Sequence, residues 1–223
     1  MKSHFFCIFA PRKRYNMTKI IFNQYDKKLI PTLPVEQFTG RIIVILSPGE
    51  TEKAVCYLLS HSLLGLDTET RPSFRRGSCH KVALLQVSTD DTCFLFRLNH
   101  TGFTPAIRRL LEDTTVTKVG LSWHDDLNAL HRLGEFNAGR FIELQSLVSE
   151  IGIEDMSLQK LYANLFGRKI SKRQQLSNWE ADVLNDKQKL YAATDAWACV
   201  RLYREVLRIR ETNDYELIIK AEE

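Results

Sequence analysis

The chain has 223 residues, 44% hydrophobic and 26% charged, which excludes disordered and fibrous classes and leaves room for one sizeable core. No apolar run approaches the ~20 residues of a membrane helix, so no membrane partner is expected. The net charge is +4, but Lys2, Arg12, Lys13 and Arg14 supply all of it. Residues 17–223 carry 31 minus 4, or 27, basic side chains against 27 acidic ones, so the domain itself is neutral and its basicity is no guide to partners. Cys7, Cys56, Cys79, Cys93 and Cys199 are scattered and never spaced C-x-x-C. That pattern points away from a disulfide framework or a zinc site and toward a reducing, cytoplasmic setting.

Residues 1–16 are expected to form a flexible N-terminal arm. The apolar stretch Phe5–Ala10 is short and runs into basic residues, unlike a signal peptide. No linker divides 17–223, which reads as a single domain. Arg41–Leu46 is a predicted strand, and Ser47–Pro48–Gly49 opens a helix to about Ser60. Leu63–Thr70, Val82–Ser88 and Cys93–Leu98 follow as strands, the last two joined by the turn formers Thr89–Thr92 as an antiparallel hairpin. Pro105–Glu112 is a helix, Thr117–Leu121 a strand, Asp125–Leu133 a helix and Arg140–Leu147 a further strand. Leu190, Ala193, Trp197, Val200, Tyr203 and Leu207 recur at steps of three and four and mark a long amphipathic C-terminal helix. Interleaved strands and helices with one early hairpin predict an α/β domain with a mixed sheet.

Three acidic features stand out. Asp67 and Glu69 lie two apart near the end of an apolar strand, so they share a face while Leu66 and Thr68 take the other. Two such carboxylates repel unless a cation sits between them, and a hard divalent metal suits oxygen ligands; a solvated strand end accounts for an isolated D-x-E equally simply. Tyr191 and Asp195 lie four apart on one face of the C-terminal helix, beside its apolar stripe. Asp125 and Asp126 open a helix after a strand. Acids there are favoured by the helix dipole without any function, and spacing alone does not choose between the two.

Taken in order, LLGLDTET (63–70), KVALLQVS (81–88), KVGLSWHDDLNAL (118–130) and SNWEADVLNDKQKLYAATDAWA (177–198) resemble the DEDD superfamily of 3′→5′ exonucleases. The similarity is to the branch whose last motif carries a tyrosine, nearer to the exonuclease domain of Werner-type helicases than to ribonuclease D. The resemblance spans roughly residues 40–208 and implies a ribonuclease H-like (DnaQ-like) mixed β-sheet flanked by helices. It implies a metal-dependent enzyme that hydrolyses phosphodiester bonds from the 3′ end of single-stranded or 3′-recessed DNA or RNA and releases nucleoside monophosphates. Aligned on its motifs, Asp67 and Glu69 are the first-motif acids, Asp126 the second, Asp195 the third and Tyr191 the tyrosine. Glu69 would also accept a hydrogen bond from the terminal 3′ hydroxyl.

Four carboxylates suit two Mg²⁺ or Mn²⁺ ions better than zinc, and no organic cofactor is implied. Tyrosine, with an ordinary pKa of ~10, is a poor base at neutral pH, so Tyr191 is expected to aim the attacking water. Phosphate contacts are sought among Arg71, Arg75 and Arg76 after the first motif and Arg168, Lys169, Lys172 and Arg173 before the last, each cluster reading equally as a solvated face, while Phe74 in the first loop either stacks on a terminal base or, more simply, packs within its loop. Gln175 departs from the pattern, since relatives often carry a basic residue there. His124 and His131 are expected to be structural. The alternative is a non-catalytic nucleic-acid-binding module on the same fold.

Overall fold

In the computed structural model, which describes residues 18–73 and 80–220, the long C-terminal helix lies across a six-stranded mixed sheet. The elements run β1 (Lys19–Phe22), β2 (Arg41–Ile45), α1 (Pro48–Leu58), β3 (Leu63–Thr70), β4 (Val82–Ser88), β5 (Thr92–Arg97) and α2 (Leu98–Thr101). They continue as α3 (Pro105–Glu112), β6 (Thr117–Gly120), α4 (Trp123–His131), β7 (Phe141–Glu143), α5 (Leu144–Ser149), α6 (Leu158–Phe166), α7 (Asp186–Thr212) and β8 (Tyr215–Ile218). The sheet order is β2-β5-β4-β3-β6-β7. The expected β4–β5 hairpin is present and β3–β4 is also antiparallel, while β2–β5, β3–β6 and β6–β7 are parallel.

The strand period of two sorts β3 into two environments. Leu64 and Leu66 enter a core shared with Val55 and Leu58 of α1, Ile107 and Leu110 of α3, and Trp123 and Leu130 of α4. The opposite face is covered by α7, whose Ala192, Ala193 and Ala196 pack with Leu84 and Leu95. The result is three layers, with helices on both sides of the sheet. Ser47 and Glu50 form a capping box at the start of α1, and Asn185 and Gln188 form another at the start of α7. No described helix is long and apolar enough to cross a membrane.

Three local expectations are corrected. The strand expected over Arg140–Leu147 ends at Glu143, where the chain turns into α5. Leu144, Leu147 and Val148 have helical spacing and are buried, and the Glu143 carboxylate accepts the Gln145 N–H as a cap. The helix expected from Asp125 begins two residues earlier, at Trp123, because Glu143 also accepts the N–H groups of Ser122 and Trp123. Finally, β1 and β8 pair in parallel as a separate two-stranded ribbon, joining chain ends whose local pattern announces no strand.

The seam between β3 and α7 is tight at Gly65. A Cβ there would lie 2.0 Å from the Ala196 carbonyl oxygen and 2.8 Å from Val200 Cγ2. Gly65→Ala is therefore expected to push α7 off the sheet, costing ~1–3 kcal/mol and lowering the melting temperature by several degrees. Thermal unfolding checks this; an unchanged midpoint would show that the helix has room to lift.

Candidate metal centre

The face of β3 under α7 carries the chemistry. Asp67 and Glu69 project from β3 and Asp195 descends from α7, so that carboxylate oxygens of the three lie within 4.8 Å of one another. Glu69 and Asp195 are buried and Asp67 is half-buried. The sequence separates Asp67 from Asp195 by more than half the chain, and the Gly65–Ala196 contact closes that distance.

Asp126 enters from α4, on the other side of the sheet. The Thr68 hydroxyl donates to its Oδ1; Thr68 points away from Asp67 and Glu69, toward the α4 layer, as strand alternation requires. Asp126 is half-buried whereas Asp125 is exposed, so only the former turns toward the carboxylates. Asp126 thus flanks the tight trio and does not belong to it. Tyr191 lies one helical turn before Asp195, buried to 9% exposure, with its ring 6.0 Å from that of Trp179. Its hydroxyl lies near enough to Asp195 to favour that acid's charged form.

The electrostatics follow from burial and crowding. Burial, with Asp126 and Asp195 nearby, holds the Asp67 carboxyl well above its ordinary range. Burial and the neighbouring Asp67, Asp195 and Asp126 push Glu69 up to about 10. Asp195 is raised by burial to about 7 even though the Tyr191 hydroxyl and the Lys172 ammonium favour its charged form. Asp126 is raised by burial to about 6, against the opposing Thr68 hydrogen bond. The Tyr191 phenol is raised too, by burial and then by Asp195 and Glu69, so it stays protonated and can only donate or accept a hydrogen bond. Crowded, dehydrated carboxylates are the donor set that a hard divalent metal fits.

Asp67, Glu69 and Asp195 line a cleft of about 280 Å³ together with Gln159, Lys172 and Gln175. A second cleft of about 510 Å³ adjoins it, sharing Tyr191 and Lys172 and reaching Arg173. Of the sequence-predicted phosphate contacts, Lys172 is therefore at the acids and Arg173 next door. Arg71 pairs with Glu180 at 3.3 Å, Arg168 lies 3.9 Å from Glu36, and Lys169 bonds to the Pro31 carbonyl. Phe74, Arg75 and Arg76 lie outside the described residues, as does the 1–16 arm. His124 bonds to Asn128, and His131 stacks on Phe136 with centroids 4.1 Å apart, the structural roles expected of them. Sequence reasoning missed Thr68 and Glu143 as the residues that hold Asp126 and the start of α4. Nothing local distinguishes them, because each acts through a partner far along the chain.

Residues 43–209 match the family model described as 3′-5′ exonuclease. The chain is 28% identical over 201 residues to the bifunctional 3′-5′ exonuclease/ATP-dependent helicase WRN of Mus musculus, covering 86% of this chain and 14% of that protein. It is 31% identical over 188 residues to a 3′-5′ exonuclease of Arabidopsis thaliana, covering 77% of this chain and 65% of that protein. It thus spans less than two thirds of the length of either. Among solved structures, the Nibbler EXO domain of Aedes aegypti superposes with a TM-score of 0.73 at 18% identity, over 82% of this chain and 95% of that one. That likeness establishes a shared ribonuclease H-like fold.

The raised carboxyl values set a pH dependence. A group whose folded pKa exceeds its unfolded value adds stability below the unfolded pKa and loses it as pH rises through the folded one. For Glu69 that window runs from its ordinary 4.5 to about 10. In EDTA, Glu69→Gln is expected to melt above the wild type by a margin that widens from pH 5 to 7.5, and Mg²⁺ should raise the wild type more than the variant. A margin that shrinks with pH would show that Glu69 is not held against its charge.

Proposed function

Since the chain belongs to the 3′-5′ exonuclease family, we propose that it hydrolyses phosphodiester bonds from the 3′ end of DNA or RNA and releases nucleoside monophosphates. We place it in the tyrosine-containing branch, using two divalent ions, Mg²⁺ or Mn²⁺. The observation that carries this reading is the convergence of the Asp67, Glu69 and Asp195 oxygens within 4.8 Å, with Asp126 and Tyr191 alongside. Asp67, Glu69, Asp126 and Asp195 would hold the ions. When bound, such a pair supplies a nucleophile at neutral pH and offsets the charge that grows on the phosphate and on the leaving oxygen.

The chain's own residues do the rest. Tyr191, protonated throughout the working range, hydrogen-bonds and aims the attacking water and does not remove its proton. Tyr191 lines the same cleft as Asp195. Thr68 fixes which Asp126 oxygen faces inward. Glu69, as the family resemblance implies, would accept a hydrogen bond from the terminal 3′ hydroxyl, a contact that only a chain end offers. Lys172 lines the same cleft as Asp67, Glu69 and Asp195 and meets the phosphate as a point charge, with Arg173 extending the cationic lip. We add Arg71 and the segment Phe74, Arg75 and Arg76 as contacts to the strand on the first-motif side.

The purified protein is expected to shorten end-labelled DNA or RNA stepwise from the 3′ end with Mg²⁺ or Mn²⁺ and to stop in excess EDTA. Tight binding with no shortening in either metal would favour the non-catalytic module. Tyr191→Phe removes one preorganised donor and keeps the ring. It is expected to lose about 10²–10³ in kcat, equivalent to ~2.7–4 kcal/mol, with metal affinity and KM nearly constant. An unchanged kcat would return Tyr191 to the core. Asp126→Asn is expected to lose orders of magnitude in turnover, whereas exposed Asp125→Asn costs at most ~1 kcal/mol of helix-dipole stabilisation; single-turnover rates compare the two, and the opposite ranking would move the second-motif acid by one residue.

A further inference from the structure

On the sheet face that bears Asp67 and Glu69, Ser88 bonds to the Thr89 carbonyl and Arg97 to the Ala181 carbonyl, but a further polar side chain there is unpaired. Gln86 stands opposite Asp67 in the antiparallel β3–β4 register, so both side chains lie under α7. Gln86 is 0% exposed, and neither its amide nitrogen nor its amide oxygen has a hydrogen-bond partner. Its neighbours on that face are Leu84 and Ser88, two residues before and after it, and Leu95, opposite it on β5; the Ser88 hydroxyl is already donated to Thr89. The helix above presents alanines. A leucine would suit that packing better, because a buried amide left unpaired destabilises the fold.

The polar groups within reach are the carboxylates. Directly opposed residues in an antiparallel pair have Cβ atoms ~4.5–5.5 Å apart, a span that a glutamine amide covers. We propose that Gln86 is a positioning residue for Asp67. Unpaired in the metal-free protein, its amide nitrogen would donate to one Asp67 oxygen when a divalent ion engages the other, and so hold the carboxylate in its ligating orientation. An amide suits the task where a charged residue would not. A lysine or arginine would neutralise the charge that attracts the ion, and an acid would add to the repulsion.

This inference rests on the metal-dependent reading above, and its test separates the two. Mn²⁺ binding to the full chain is measured by calorimetry, and unfolding is followed in EDTA, for wild type, Asp67→Ala, Gln86→Met and Gln86→Leu. Either Gln86 variant is expected to melt at or above the wild type in EDTA, since an unpaired amide is gone. The Mn²⁺ dissociation constant is expected to rise about ten- to a hundredfold, as for loss of a partner that orients a ligand, and nuclease activity should recover at saturating Mn²⁺. A purely structural glutamine would do the reverse, lowering the melting temperature and leaving the Mn²⁺ affinity unchanged, and that result overturns the proposal even if only one of the two variants folds. A wild type that binds no Mn²⁺ would overturn the metal-dependent reading and this inference with it; wild-type binding lost in Asp67→Ala but retained in Gln86→Met overturns the inference alone.

Discussion

Like charges resist being gathered, so the whole site depends on the seam that forces α7 against β3. At that seam Gly65 offers no side chain and the Ala196 carbonyl takes the space, while Ala192 and Ala193 keep the helix surface flat. The opposing term has a definite size. Raising Asp195 from 3.8 to about 7 corresponds to roughly 4 kcal/mol at neutral pH. Fully burying one leucine contributes ~1.5–3 kcal/mol, and α7 buries Leu202, Val206 and Ile209 along its length. Apolar burial distributed over a 27-residue helix is thus of the size needed to offset the dehydration of that carboxylate. The acids sit where packing sets them, not where their own hydration would put them.

The remaining acid arrives by a different route. Asp126 comes from the layer on the far side of the sheet, and its position depends on two polar anchors. Glu143 accepts the N–H groups of Ser122 and Trp123, satisfying donors that a helix start leaves open. Ser122 itself takes a left-handed conformation, φ 62°, which turns the chain sharply from β6 into α4. Thr68 then ties Asp126 to the strand that carries Asp67 and Glu69. The trio is built by hydrophobic packing, and its flanking member by hydrogen bonds.

Much of this was legible in the sequence where the signal is local. The bounds of β3, β4 and α3 coincide with the predicted ranges, because strong alternation, apolar runs and a Thr-Pro helix start all act within a few residues. The shared face of Asp67 and Glu69 follows from the strand period alone. The failures share a cause as well. Leu144, Leu147 and Val148 make barely two turns, too short for their helical spacing to stand out against the preceding strand. The β1–β8 ribbon pairs Lys19 with Tyr215, a relation that no window along the chain contains. The roles of Thr68, Glu143 and Gln86 depend on register and contact across layers, so composition and spacing are silent about them.

The basic run before the last motif shows why counting charges says little about where a polyanion is met. Arg168 faces Glu36, a carboxylate that also receives the Tyr162 hydroxyl and the Arg201 guanidinium. Lys169 bonds to the Pro31 carbonyl, and its backbone bridges to Val35. These two residues anchor the segment to the chain that precedes β2, and an anchored charge is largely neutralised by its partner. Three or four residues further on the segment turns outward, and Lys172 and Arg173 are exposed where the two clefts meet. An exposed ammonium is screened beyond about 8–10 Å, so its effect is confined to what lies against the lip. Lys172 already draws the Asp195 carboxyl downward. The same charge that steadies an acid within the site therefore also sits at its mouth, and in a domain with no net charge its reach is confined to that lip.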